Sequence, residues 1–410
     1  MAGYPLQIEK RDRPNRQPGR RIASSETARD INRSVVLNTI RTHRLISRAE
    51  LARATGLQRS TVSLIVEQLL NERWVEEGAV GQLPRGRKPR LLALSTAKAG
   101  IIGVNVLPSG THVALADLDS NLKVHQSIST AADPREFVKA LCSQVRALMA
   151  AHPKVAYEGI GVSLPGRVDY GAQRLVFAPN LGWRDVDLRK PLERATGLPV
   201  QIENAANACA LAEVWSGPHE GVRDLIAVTV SEGIGTGVIA NGQLVRGPSG
   251  AAGEFGHVPL NQDGPPCGCG SRGCWEAYAS NAAAIRNYNV GDSKSKRRSA
   301  ATIANFNDLL LLVERGDVTA AEVIDRMAFY LGAGIAMLVN GLAPSVITIV
   351  GDVTRLWSRV GPIAERVVSE RARTHAGTRI VPSDASAEPR LKGTIALVLQ
   401  KHFQPQLLAG

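Results

Sequence analysis

The sequence predicts an α/β protein in two unequal parts, a small N-terminal winged helix-turn-helix and a larger body of alternating strands and helices. Three observations carry this reading. Positive charge is confined to one end, two closely spaced helical segments follow it, and from Gly100 onward short apolar strands alternate with helices. At 410 residues the chain is too long for one compact domain. With 44% hydrophobic and 21% charged residues it has the composition of an ordinary soluble globular protein.

The net charge of +12 is unevenly spread. Residues 1–98 hold 19 Lys and Arg against 9 Asp and Glu, whereas the rest hold 30 against 28. A basic module joined to a near-neutral body is the electrostatic footprint of a nucleic-acid-binding head. Residues 1–22 are basic, proline-bearing and polar, which predicts a disordered arm rather than a signal peptide. The apolar stretch Met327 to Ala343 is interrupted by Gly332, Gly334, Asn340 and Gly341 and is too short for a bilayer, so no membrane association is expected. Five cysteines, three of them in a metal-binding pattern, fit a reducing cytoplasm.

The head is expected over residues 23–95. A first helix from about Asp30 to Thr42 buries Val36, Leu37 and Ile40. Ser47-Arg-Ala-Glu50 reads as a capping box opening a short helix that ends at Thr55-Gly56. The next helix, about Arg59 to Asn71, places Val62, Ile65, Val66, Leu69 and Leu70 on one face. Gln58, Arg59, Ser60, Thr61 and Ser63 gather at its N-terminal end, where a recognition helix meets bases and phosphates. Gln58 stands where a capping Ser is commoner.

After Trp74-Val-Glu-Glu-Gly78 the chain returns through Arg90–Leu94, a two-stranded wing. Its tip, Pro84-Arg-Gly-Arg-Lys-Pro89, resembles an AT-hook. Arg85 and Arg87 around Gly86, with Lys88 beside them, suit a narrow A·T-rich minor groove. A solvated basic loop is the plainer alternative.

In the body, Ile101–Val106 and Val113–Asp117 read as a hairpin, with strands at Ile160–Leu164, Leu225–Val230 and Val346–Val350. Helices are expected around Ala205–Trp215 and Ala320–Asn340. Between them lies Cys267-Gly-Cys-Gly-Ser-Arg-Gly-Cys-Trp-Glu276, ten positions after Gly253-Glu-Phe-Gly-His257. Cys267 and Cys269 bring two sulfurs to one side of a tight turn, and Cys274 closes a third corner. With His257 they form a Cys₃His set, a closed shell that suits structural Zn²⁺.

The same residues resemble the signature of the ROK family, which groups repressors, open reading frames and sugar kinases. The run G-E-F-G-H, then C-x-C-G-x-x-G-C-x-E, carries the resemblance, and L-A-x-x-T-G-L-x-x-x-T-V-S from Leu51 resembles the helix-turn-helix of its repressors. The resemblance implies a two-lobed, actin-like sugar-kinase fold. One lobe spans about 99–205, the other 206–390 with the zinc knuckle at 257–276, and a C-terminal helix in 391–410 packs on the first lobe. It further implies that Gly166, Arg167, Asn204, Glu254, His257 and Glu276 surround a sugar. Glu254 and Glu276 can instead brace the knuckle.

Phosphotransfer groups are missing. The family's phosphate hairpin opens D-x-G-G-T, but here Asn105-Val-Leu-Pro-Ser-Gly-Thr111 lacks the acid. Its E-N-D-A-N run reads Glu203-Asn-Ala-Ala-Asn207, so Ala205 replaces the general base. Gly351-Asp-Val353 departs from the glycine-rich adenosine loop, whereas Gly233-Ile-Gly-Thr-Gly237 still resembles the second phosphate loop. The expected protein is therefore a non-enzymatic, sugar-responsive repressor, a homodimer or larger, on an inverted-repeat operator with A·T-rich flanks. A sugar or sugar phosphate releases it. The alternatives are an active sugar kinase with an appended head and a repressor controlled by a protein partner.

Overall fold

The computed structural model describes residues 25–80, 90–291, 302–372, 377–384, 386 and 388–403. The basic arm (1–22), the hook residues Arg85, Gly86, Arg87 and Lys88, the basic run Lys294–Arg298 and positions 404–410 lie outside the described residues.

The head consists of α1 (Ser25–His43), β1 (Ile46–Ser47), α2 (Arg48–Thr55), α3 (Arg59–Asn71), β2 (Val75–Val80) and β3 (Arg90–Leu94). The capping box forms as the sequence requires. The Ser47 hydroxyl accepts from the Glu50 amide, and the Glu50 carboxylate accepts from the Ser47 amide at 2.9 Å. Gly56, at φ 71°, turns the chain out of α2. The three strands pair antiparallel in the order β1-β3-β2. Val36, Leu37, Ile40, Leu51, Val62, Val66, Leu69 and Leu92 are buried where these elements meet. Leu70, expected inside, is half-buried.

The body holds two five-stranded sheets. The first is built from β4 (Ala99–Leu107), β5 (Gly110–Ala116), β6 (Leu122–Ile128), β7 (Ala156–Leu164) and, after α4 (Pro134–Ala151), a small meander β8 (Arg167–Asp169), β9 (Arg174–Ala178) and β10 (Trp183–Val186) and α5 (Arg189–Thr196), by β11 (Val200–Asn204). The second follows α6 (Ala205–Trp215). Its strands are β12 (Leu225–Val230), β13 (Ile234–Ala240), β14 (Gln243–Leu244), β15 (Val346–Val350) and β16 (Arg379–Pro382). Packed with it are α7 (Glu276–Ala279), α8 (Asn281–Val290), α9 (Phe306–Glu314), α10 (Val318–Leu342) and α11 (Trp357–Arg371).

The two sheets repeat one plan. Their orders, β6-β5-β4-β7-β11 and β14-β13-β12-β15-β16, each join an antiparallel meander to three parallel strands. The central strands β12 and β15 are buried throughout and are nearly continuous apolar runs, as burial on both faces demands. This is the α/β sugar-kinase-like architecture that the sequence predicted.

The last helix, α12 (Pro389–Phe403), does more than pack on the first sheet. It lies against β4, β7 and α6 and also reaches the head. Gly393 is required here, because a Cβ would stand 1.9 Å from the Ala208 carbonyl of α6. At the far end, Ile395, Val398, Leu399 and Phe403 join Val36, Leu37, Ile40 and Trp74 in one apolar cluster. His402 stacks on Trp74 with centroids 4.4 Å apart, and Ser34 donates to the His402 carbonyl. Arg41 of α1 donates to the Trp215 carbonyl and to Glu220, both at 2.8 Å. Burial pushes the His402 imidazole down to about 4, with Arg33 and Lys401 adding to the effect.

Candidate functional site

The first candidate site is the surface of the head. Gln58, Arg59 and Ser60 are exposed at the start of α3, while Thr61 and Ser63 are half-buried beside them. Gln58 caps α3 by position but makes no side-chain hydrogen bond. The first-turn amides of α3 therefore keep donors for an external partner. Arg48 bridges Glu67 of α3 and Glu77 of β2 at 2.9 and 2.8 Å, tying helix and wing together.

The second site is a knuckle on the β13 side of the second sheet. Isolated bridges pair Pro259 with Cys274 and Pro266 with Arg272, folding the loop back on itself. Gly273, at φ 66°, is crowded against the Asn261 carbonyl, so no side chain fits there. His257, Cys267, Cys269 and Cys274 converge, with one ligand atom from each lying within 4.8 Å of the others. The separations test the donor set. Tetrahedral bonds of about 2.3 Å to sulfur and 2.0–2.1 Å to nitrogen require S···S near 3.8 Å and S···N near 3.6 Å. Cys269 and Cys274 sulfurs are 3.8 Å apart, and the Cys267 sulfur is 3.6 Å from His257 Nδ1. The four residues can hold a metal ion.

Burial pushes the Cys267 thiol up to about 12 and raises Cys274 as well. Cys269 is held below its ordinary value despite its own burial, by the Ser271 amide and the two neighbouring thiols. A divalent cation deprotonates such a cluster and takes the thiolates as ligands.

Through Glu254 the knuckle borders a small cleft, partly open to solvent, with a cavity volume of about 30 Å³. Arg167, Asn204, Asn207, Gly235, Thr236, Gly253 and Glu254 line it. Three of the six residues expected around a sugar thus meet there, Arg167, Asn204 and Glu254. Gly166 stands behind Asn204, accepting from its Nδ2 at 2.6 Å. Asn204 is largely committed, because its Oδ1 also caps α6 by accepting from Ala206 and Asn207. His257 turns Nε2 toward Glu254 at 3.8 Å.

Glu276 departs from the expectation. It does not line the cleft. Its Oε2 accepts from the Ile234 amide at 3.0 Å, and its Oε1 lies 3.6 Å from the Cys267 sulfur. It therefore braces the knuckle against the turn before β13. That turn belongs to the expected second phosphate loop, but Ile234–Ala240 is a regular strand. An anion already occupies its first amide.

Behind Asn204 and Asn207 stands an ion pair that the sequence did not single out. Glu203 is buried, accepts from the Asn204 amide and from Asn207 Nδ2, and pairs with Arg246 at 2.8 Å. Arg246 in turn lies over Tyr170 at 3.9 Å. Glu203 and Asn207 sat in the run already noted, while nothing near Arg246 in sequence marks it. At the first-lobe hairpin, Asn105 is buried and accepts from Ser163 at 3.3 Å, and Thr130 donates to the Leu107 carbonyl at 2.7 Å. Ala205 opens α6 with a methyl group where a proton acceptor was sought.

A family model described as the ROK family matches residues 102–401. The xylose repressor of Bacillus subtilis (strain 168) is 31% identical over 387 residues, covering 93% of this chain and 98% of the repressor. A glucokinase of Streptomyces coelicolor is 34% identical over 271 residues, covering 62% and 82%. Among solved structures, a ROK family transcriptional regulator, a homolog of the E. coli Mlc protein, superposes with a TM-score of 0.80 at 25% identity, covering 92% of this chain and 98% of its own. A Streptomyces griseus ROK family glucokinase in complex with glucose and AMPPNP gives 0.65 at 28%, covering 74% and 100%. Among the described residues, no helix is long and apolar enough to cross a membrane.

Proposed function

The chain belongs to the ROK family, and on that premise we propose that it is a sugar-responsive transcriptional repressor whose body binds but does not phosphorylate its ligand. The observation that carries this reading is full-length similarity to a xylose repressor, head included, joined to the absence of a proton acceptor at Ala205. Without a base at the attacking hydroxyl and an acid at the phosphate hairpin, transfer loses two groups that act in concert.

In this reading, residues 23–95 bind an inverted-repeat operator as a homodimer, one α3 in each of two successive major grooves. Arg59 and Ser60 choose bases, and Arg87 enters A·T-rich flanking minor groove. The residues expected in the cleft (Gly166, Arg167, Asn204, Glu254, His257 and Glu276) support the sugar directly or by bracing those that do. His257, Cys267, Cys269 and Cys274 hold structural Zn²⁺, a role their separations support. The metal supplies rigidity to the loop carrying Glu254. Closure of the lobes on a sugar changes the spacing of two heads, whose half-sites lie about one helical turn apart. The sugar thereby weakens the complex.

The test is to select the preferred DNA from a random library with purified protein, then titrate the complex with sugars that raise the melting midpoint. Undisturbed or tightened complexes overturn the release mechanism. Similarity to glucokinases favours a second reading, a kinase with an appended head. Sugar-dependent ATP consumption above roughly 1 per second would establish it.

A further inference from the structure

Arg167 is the one cation lining the cleft, and its exposed guanidinium makes no hydrogen bond or ion pair among the described residues. Its neighbouring arginines each have a carboxylate partner, although the buried Nη2 of Arg246 has none. Arg246 pairs with Glu203 at 2.8 Å, and Arg174 on β9 pairs with Asp185 at 2.9 Å. Glu254, the one carboxylate lining the cleft, is within 4.0 Å of His257 rather than of Arg167.

The free hydrogen-bonding capacity around the cleft divides by type. Asn207 spends one Nδ2 hydrogen on Glu203 and keeps the other, along with Oδ1 as an acceptor. Thr236 gives its hydroxyl hydrogen to the Gly253 carbonyl and keeps lone pairs. Glu254 accepts only. These groups take hydrogens from sugar hydroxyls. Neutral donation comes from the second amide hydrogens of Asn204 and Asn207, and charged donation from Arg167, whose five N–H groups in a planar fork match the oxygens of a carboxylate or phosphate.

We propose that the effector is an anionic sugar, a phosphate ester or a sugar acid, and that Arg167 determines this specificity by binding its anionic group. The proposal rests on the reading of the cleft as the sugar site. Charge-assisted hydrogen bonds are roughly twice as strong as neutral ones, and a two-point contact adds geometric selectivity. An unpaired guanidinium has no carboxylate to release before binding, so the ligand does not compete with an internal partner.

The experiment uses the full chain and matched probes. D-glucose is compared with D-glucose 6-phosphate and D-glucuronate, D-xylose with D-xylulose 5-phosphate, and N-acetyl-D-glucosamine with its 6-phosphate. Affinities come from calorimetry and from melting midpoints. The expected result is an anionic member binding at least about tenfold tighter than its neutral partner, with that advantage shrinking as salt rises. It should vanish in Arg167→Gln and return in part in Arg167→Lys. Whether phosphate or carboxylate wins names the source of the charge. A neutral sugar that binds as tightly as its charged partner overturns the proposal, as does an advantage that survives Arg167→Gln. In either case the sugar-sensing reading stands. If no probe of either kind binds, that reading falls and this one falls with it.

Discussion

Two corners of the body, one in each lobe, differ in what they keep of the residues expected from the sequence. At the second-lobe corner, Glu254, His257 and the three cysteines hold a geometry that fits a tetrahedral metal, and the adjoining cleft is lined by polar side chains. At the first-lobe corner, the β4–β5 hairpin carries Asn105 rather than an acid, and Pro108 and Ser109 at its turn are exposed. Asn105 is buried against Ser163, and the Leu107 carbonyl is sealed by Thr130. Both corners sit on the same repeated sheet plan, so the difference lies in side chains rather than in fold. Ligand binding and phosphoryl transfer are separable functions of one scaffold, because positioning a sugar needs hydrogen bonds whereas moving a phosphate needs a base and charge neutralisation.

Removing the metal should break the comparison most strongly. Cys269→Ser is expected to cost several kcal/mol, a fall of about 10 °C in the melting midpoint, and to abolish sugar-induced stabilisation. Elemental analysis of protein purified without added metal should find one zinc per chain. Normal folding with much less zinc would show that the corner is held by packing alone.

A smaller effect is expected from Glu254→Ala. If the second-lobe corner senses the sugar, this variant should lose release of the DNA complex, a change of about 5- to 150-fold in coupling. Titrating the variant and the parent complexes with the same sugar measures it. Retained release would move the sensing group elsewhere in the cleft.

Much of this contrast was legible in the sequence, and the reason is range. The capping box at Ser47 and Glu50, the face of α3 and the Cys-x-Cys…Cys knuckle are set by neighbours within a few residues. Spacing alone therefore reports them. The pair Glu203–Arg246 joins residues 43 apart in sequence, and α12 contacts α1 from the other end of the chain. Local pattern carries no trace of either. For Glu276 the sequence left two directions open, the sugar and the knuckle, because a carboxylate reaching a sugar and one reaching the Ile234 amide look alike in sequence.

The lock between body and head offers a third, weaker handle. Helix α12 forms one of the contacts between body and head, and there His402 lies half-buried against Trp74. Its imidazole sits at about 4, below the ordinary histidine value near 6.5, so the unfolded chain binds a proton that the fold refuses. Its contribution to stability is present above pH 6.5 and is lost as pH falls toward 4. The nearby Glu158 carboxyl is raised by burial and pulls in the opposite direction, so the difference between variants is the quantity to read. Between pH 7.5 and 5, the melting midpoint of the parent should fall further than that of His402→Gln. Equal falls would remove His402 from the lock.

The smallest expected effect is also the sharpest test of the first-lobe corner. Ala205→Asp places a carboxylate at the opening of α6, next to Asn204, where the proton acceptor was sought. If one missing base were the whole reason for silence, this substitution should restore sugar-dependent ATP turnover. The structure argues otherwise. Asn105 stays buried, the hairpin carbonyl stays sealed, and the Ile234 amide of the second glycine loop already holds the Glu276 carboxylate. A new base then still faces a hairpin that lacks its acid. Turnover in Ala205→Asp should remain far below roughly 1 per second with every sugar that stabilises the parent. Turnover at that rate would mean that the phosphate corner had kept its chemistry and that the contrast between the two corners rests on a single side chain.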